Sequence, residues 1–334
     1  MQTALFPDAD LDIVGAATPE PAVVELAASL PPSLRLGTSS WHYPGWTGLV
    51  WNRDYSAEAL SRHGLAAYSQ HPLLNAVGLD RSFYRPMTVA QFAAMAAQVP
   101  DNFRFVVKAP GLVTDALLRD EAGRGTKANE DFLNPERARL DFAESALAGL
   151  GAKLGVLVFQ ISPLPSSWLT RLPELTTRLH AMLQTIRNVC ERAPGVIVAV
   201  EVRDAQWLTP FFTSILRETG ATYCLGLHAK MPPIKEQLPI LRALWPGPLV
   251  CRWNLNPLHG AFGYEDAQRL YSPYHRLVDP DLETRAALAK VIAGTVGAGQ
   301  QAYVTLSNKA EGSAPLSVIA LAQAVQGLCS VVQT

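Results

Sequence analysis

The chain is poor in charge and lacks the short patterns that mark the commonest chemistries. Only 17% of its 334 residues are Asp, Glu, Lys or Arg, and 28 basic residues nearly cancel 29 acidic ones. That balance argues against a broad electrostatic grip on nucleic acid or an anionic membrane. The four cysteines, Cys190, Cys224, Cys251 and Cys329, are too far apart for a CxxC pair. They read as small buried hydrophobes in a reducing compartment. No apolar run reaches the roughly 18 residues of a membrane span. The opening MQTALFPDADLDIVG is acidic where a signal peptide would be basic, so a cytoplasmic protein is expected. Glycine and proline follow no strict period, which excludes a collagen-like chain.

Other absences bear on mechanism. There is no GxxxxGK[ST] phosphate loop, no GxGxxG between a strand and a helix, and no GxSxG elbow. The histidines are His42, His63, His71, His180, His228, His259 and His275, and none forms an HxH or HExxH pair. A metal site needs convergent histidines and carboxylates, so neither a catalytic metal nor a cofactor is expected.

What is present is an apolar fraction of 49%, ordinary for a globular chain and enough for a sizeable core. Residues 1–33 read as a leader, rich in DAD, PEP and PP, with a short helical stretch around Val23 to Leu30; it is expected to be a tail or to pack on the main domain. From Leu34 to about residue 330 no long linker interrupts the chain, which predicts one domain. Eight β-rich runs follow, at 34–39, 75–80, 103–108, 154–161, 196–203, 221–228, 249–254 and 301–307. Helix-like segments lie between them, for example 57–70, 135–150, 173–193, 208–220 and 281–299. This alternation predicts a parallel α/β sheet, and eight strands suit a TIM-like (β/α)₈ barrel.

The parity within each run is more telling than their number. In the fifth, Val198, Val200 and Val202 share one face, while Ala199, Glu201 and Arg203 share the other. Val106 and Lys108, Val158 and Gln160, Gly226 and His228, and Arg252 and Asn254 repeat the second pattern: small first, polar at the carboxyl end. A barrel with a catalytic C-terminal mouth should read this way. An open doubly wound sheet would bind at one switch point instead of around a ring.

The blocks also resemble a family. GTSSWHYPGW at 37–46, SFYRPM at 82–87, FRFVVKAP at 103–110, GVLVFQISP at 155–163, VEVRDAQW at 200–207 and SNKAEGSAP at 307–315 occur in the order seen in domain-of-unknown-function family 72, the YecE-like proteins. The resemblance implies a TIM-barrel-like fold and carries no established reaction. The chain departs from the family pattern at four places. A usual Glu and Asn on the second strand are Gly78 and Asp80, and a Thr-His is Thr114-Asp115. An Arg-His is Arg203-Asp204, and an RxHG-type pattern reads Arg252-Trp253-Asn254.

Lys108, Arg203 and Arg252 end inward strand faces. They can form a cationic mouth for phosphate or carboxylate, or they can be neutralised by Glu201 and Asp80. Glu201 can serve as a general acid or base, or as a salt-bridge partner. The catalytic candidates are therefore Glu201, Lys108 and Arg203. The ligand-binding candidates are Trp41, Tyr43, Asp80, Tyr84, Arg85, Gln160, His228, Arg252, Asn254 and Asn308. Of the aromatic cluster after the first strand, Trp41 and Tyr43 are assigned to the site, Trp46 and Trp51 to a lid or contact; Phe83 is assigned to the core.

The function expected is a metal-independent enzyme, a hydrolase or an isomerase or lyase, acting on a small polar and anionic molecule at the barrel mouth. The alternatives are a nucleic-acid binding or processing protein, related by fold to barrel endonucleases, and a non-catalytic ligand-binding scaffold.

Overall fold

The computed structural model describes residues 13–120, 123–260 and 263–332. Its centre is a closed parallel barrel of β1 (Leu34–Thr38), β2 (Ala76–Leu79), β3 (Arg104–Lys108), β6 (Leu154–Gln160), β7 (Ile197–Glu201), β8 (Thr222–Leu227), β9 (Leu249–Trp253) and β10 (Ala302–Leu306). The ring order is β1-β10-β9-β8-β7-β6-β3-β2, so each strand lies beside its neighbours in sequence and the last closes on the first. All eight runs expected from the sequence are barrel strands. A two-stranded antiparallel hairpin, β4 (Leu117–Arg119) and β5 (Gly125–Ala128), was not expected; it is inserted in the connection after β3. Its strands are exposed along most of their length and carry little apolar alternation, so the periodicity that marks a half-buried strand is missing.

Several helices start where the sequence offers caps. Ser56 accepts from the backbone of Ala59, and Thr88 forms a reciprocal capping box with Gln91. Thr209 and Asp281 accept from Phe212 and Thr284. Each such cap satisfies an orphan amide of the first turn. The helix Pro21–Ser29 buries Val23 and Leu26, and its Ser29 Oγ accepts from Gln326 Nε2 of the C-terminal helix at 2.8 Å. The N-terminal stretch from Pro21 thus lies on the barrel's helical layer; residues 1–12 of the expected leader lie outside the described residues. No helix is long and apolar enough to cross a membrane among the described residues.

Two layers fill the barrel below its mouth. The middle is apolar, with Val106, Val158, Ala199, Cys224 and Val250 packed together. At the amino-terminal end, Tyr303 stands beside Arg35 and Arg104. These arginines donate to the loop carbonyls of Asn102 at 2.8 Å and Asp101 at 2.7 Å. The outward faces, including Phe105, Leu157, Val200, Leu225 and Trp253, join the larger core beneath the helices.

The closing seam depends on a tight approach. β1 meets β2 at Gly37–Ala76 and Thr38–Val77, and β7 meets β8 at Ala199–Thr222 and Val200–Tyr223, the two shortest ladders of the described barrel. A Cβ on Gly37 would fall 2.0 Å from the Ala76 carbonyl oxygen, so only glycine fits there. The fully buried Tyr68 hydroxyl reinforces this seam: it accepts from the Thr38 amide at 3.0 Å and donates to the Ala76 carbonyl at 3.0 Å. Tyr68→Phe leaves both backbone groups buried without that partner. It should destabilise the fold by about 1–3 kcal/mol, read from urea unfolding of the two proteins.

Candidate functional site

The polar ends of the inward faces meet at the carboxyl end of the barrel, where catalytic groups of this architecture sit. Glu201 is their centre and is fully enclosed. Its Oε2 lies 2.6 Å from Arg252 Nη1 and its Oε1 lies 2.7 Å from Arg203 Nη2. Asn254 Nδ2 donates to Oε1 at 3.2 Å. Gln160 Oε1 accepts from Arg203 at 2.9 Å and from Arg252 at 3.0 Å, holding the two guanidiniums together. Across the barrel, Arg252 Nη2 contacts both oxygens of Asp80, at 2.7 and 2.8 Å. Burial would raise the Glu201 pKa, but Arg203 and Arg252 outweigh it and hold the carboxyl below its ordinary value. Burial likewise works against the Arg252 charge, and Asp80 and Glu201 reverse it, so its pKa lies above the usual value.

Space for this network comes from a glycine. Gly226 faces Glu201, and a Cβ there would sit 3.2 Å from Glu201 Cγ and Oε1.

Lys108 stands apart from the pairing. Its Nζ lies 3.6 Å from the centre of the Phe83 ring, and no carboxylate comes within ion-pairing distance of it among the described residues. Burial is the main cause that pushes its pKa down to about 7; Arg252 and Arg203 add to the effect, against Asp80 and Glu201.

The other candidates divide. Tyr43 is half-buried, its ring 5.0 Å from Trp46 and 5.4 Å from Tyr274. Burial, with Tyr274 and Asp80 nearby, pushes its hydroxyl up to about 12. His228 is half-buried beside the Tyr264 ring, and its Nδ1 accepts from the Lys230 amide at 3.1 Å. Burial and then Arg203 push its pKa down to about 4, which keeps the ring neutral. Tyr84 and Arg85 are exposed. Tyr84 touches Phe83 edge-on, so in this loop it is Phe83, assigned to the core by sequence, that reaches a mouth residue.

Two candidates are placed away from the charged network. Trp41 does not line the rim: it is buried, with its indole NH donating to the Leu60 carbonyl at 2.9 Å and the Arg81 guanidinium over its ring. The loop after β1 turns this side chain back against the next helix, a fold-back that proximity in sequence does not reveal. Asn308 Oδ1 accepts from Trp46 Nε1 at 3.1 Å and from the Ala314 amide at 2.8 Å, while its buried Nδ2 has no hydrogen-bond partner among the described residues. The bond from Trp46 ties the loop after β1 to the end of β10.

Sequence reasoning also missed Tyr264. Its hydroxyl stands against Arg203, and its ring lies under Lys309 Nζ at 5.2 Å. The available signal was topological: Tyr264 opens the helix after β9, and barrel sites draw on every strand-to-helix connection. The positions that depart from the resembled pattern have structural partners. Asp115 pairs with Arg119, Asp204 Oδ2 accepts from the Leu164 amide at 2.9 Å, and Asn254 serves Glu201. No cluster of three metal-ligating side chains occurs among the described residues. A recess of about 1400 Å³ lies at the opposite end of the barrel against Arg35, Arg104 and Tyr303. The charged network is elsewhere, at the strand ends.

A closed parallel barrel with a charged carboxyl-terminal mouth defines the TIM-barrel class. Within it, residues 35–332 match the family model described as "Protein of unknown function DUF72", and the chain belongs to that family. Two solved DUF72 family proteins share the fold. One, from Enterococcus faecalis V583, has a TM-score of 0.55 at 16% identity, over 87% of this chain and 95% of that one. Another, from Thermotoga maritima MSB8, has a TM-score of 0.54 at 19% identity, over 87% of this chain and 98% of that one. No curated protein matches the sequence.

Two predictions follow from the charges. Removing one member of a buried pair costs about 3–5 kcal/mol, so Glu201→Gln should lower the unfolding free energy by that order, because Arg203 then has no acidic partner. Adding Arg203→Met to it should restore part of the loss, measured by chemical denaturation of the single and double variants. The second concerns pH. In the folded chain Lys108 releases its proton near pH 7, whereas the unfolded side chain keeps it to about 10.5. Between those values the unfolded state binds more protons, so Lys108 makes stability rise with pH. The difference in unfolding free energy between the wild type and Lys108→Met should grow in the wild type's favour over that window.

Proposed function

We propose that this chain is a metal-independent enzyme that binds a small anionic molecule, a carboxylate or a phosphoester, at the carboxyl-terminal mouth of its barrel. One observation carries the reading. Among the described residues, the network holds three cations, Lys108, Arg203 and Arg252, against two carboxylates, Asp80 and Glu201, and the arginines take up both acids. Lys108 is left over, and Arg203 keeps a buried Nε without a hydrogen-bond partner among the described residues. The idle NH of a buried guanidinium is suited to an anionic group, which Arg binds through its planar fork. Arg252 and Gln160 are positioning residues in this reading, and Glu201 anchors both arginines. The near-neutral net charge favours a small ligand over a polynucleotide. A cytoplasmic location accords with the expected small, soluble ligand.

The test is thermal stabilisation by a panel of simple phosphates, sugar acids, 2-oxo acids and short oligonucleotides. Stabilisation by a small anion that is lost in Arg203→Met, while the exposed-site variant Lys235→Ala keeps it, supports the reading. A salt-dependent shift with oligonucleotides alone would replace it with nucleic-acid binding. Stabilisation without turnover of any stabilising compound would leave a binding scaffold.

A further inference from the structure

Lys108 invites a closer reading than a point charge. It ends β3 on the inward face and is nine-tenths buried. The groups that face it are Asp80 beyond β2, Glu201 and Arg203 at the end of β7, and Arg252 of β9. Of these, both acids already contact guanidiniums at 2.8 Å or less. Nζ also lies over the Phe83 ring, 3.6 Å from its centre. A lysine made for holding an anion by charge alone is better served by solvent or a carboxylate that keeps it protonated. A desolvated amine next to other cations is the standard way to make a lysine nucleophilic.

From this geometry we infer that Lys108 is a nucleophilic amine that forms an imine with the carbonyl carbon of the anionic ligand. The inference rests on the anion-binding reading and narrows its ligand to an aldehyde or ketone that also carries a carboxylate or phosphate. In the step, the Nζ lone pair forms a bond to the carbonyl carbon as the C=O π pair moves to oxygen. A proton passes from nitrogen to that oxygen, giving a carbinolamine. Protonation of its hydroxyl and loss of water leave the protonated imine, so amine, carbonyl compound and one proton yield iminium and water. No electrons are gained or lost. The iminium then withdraws electrons from the adjacent carbon, which suits proton transfer or carbon–carbon cleavage there. Hydrolysis by the same water count returns the amine. The anionic group is held by Arg203, two strands around the ring from β3.

Reductive trapping tests this. The full chain is incubated with glyoxylate and sodium cyanoborohydride at neutral pH, and the modified lysines are mapped by peptide mass spectrometry. Lys108 should be carboxymethylated faster than the exposed Lys127, Lys235 and Lys290 by on the order of tenfold, because an ordinary lysine with a pKa of about 10.4 is almost wholly protonated there. Modification of the exposed lysines at rates equal to or above that of Lys108 would overturn the inference. Acetaldehyde, which carries no anionic group, separates the two claims. Trapping of Lys108 by both aldehydes at equal rates, unchanged by Arg203→Met, would keep the amine and reject the anion site. Stabilisation by glyoxylate that persists in Lys108→Arg, with no adduct at position 108 in the wild type, would keep the anion site and reject the amine. Circular dichroism of each variant shows that it is folded.

Discussion

Glu201 sits in a place where an unpaired carboxylate would be untenable, and two arginines make that place habitable. Its own desolvation works against ionisation, so the charge survives because Arg203 and Arg252 each hold one of its oxygens. Much else in the mouth follows from that demand. Gln160 is held between the two guanidiniums, Asn254 supplies a further donor to the carboxylate, and Gly226 keeps clear the volume they need. Asp80 then balances what Glu201 alone cannot. With both acids paired to guanidiniums, burial outweighs the support they give the lysine beside them and lowers its pKa.

The barrel was largely legible from sequence because its strands are buried on both faces in different ways. The outward face meets helices and stays bulky, while the inward face narrows to Ala199, Cys224 and Val250 before ending in Glu201, Gly226 and Arg252. That asymmetry has a period of two and survives in any window of the sequence. Partnerships across the ring left no such trace. Asp80 and Arg252 are 172 positions apart, and only closure of the barrel brings them together. Lys108 could be placed at the mouth, but its isolation could not be foreseen, because it depends on which cation each acid chooses.

Loops were read less well, for a specific reason. Distance from a strand end in sequence says little about the direction in which a loop folds. Trp41 returns to the core, whereas Phe83 reaches Lys108, and Tyr264 arrives from a helix more than ten residues beyond β9. The β4–β5 hairpin escaped notice because an exposed ribbon needs no apolar alternation.

The two short ladders have a mechanical consequence. They divide the ring into two four-stranded arcs, one of β8, β9, β10 and β1 and the other of β2, β3, β6 and β7. Arg252 belongs to the first arc, while Asp80 and Glu201 both belong to the second. One side chain is therefore a clasp over both weak joints, and shear between the arcs must stretch its ion pairs. Drawing Arg252 away from Asp80 frees one joint and drawing it away from Glu201 frees the other, so the charge state of the mouth bears on the stiffness of the barrel at both.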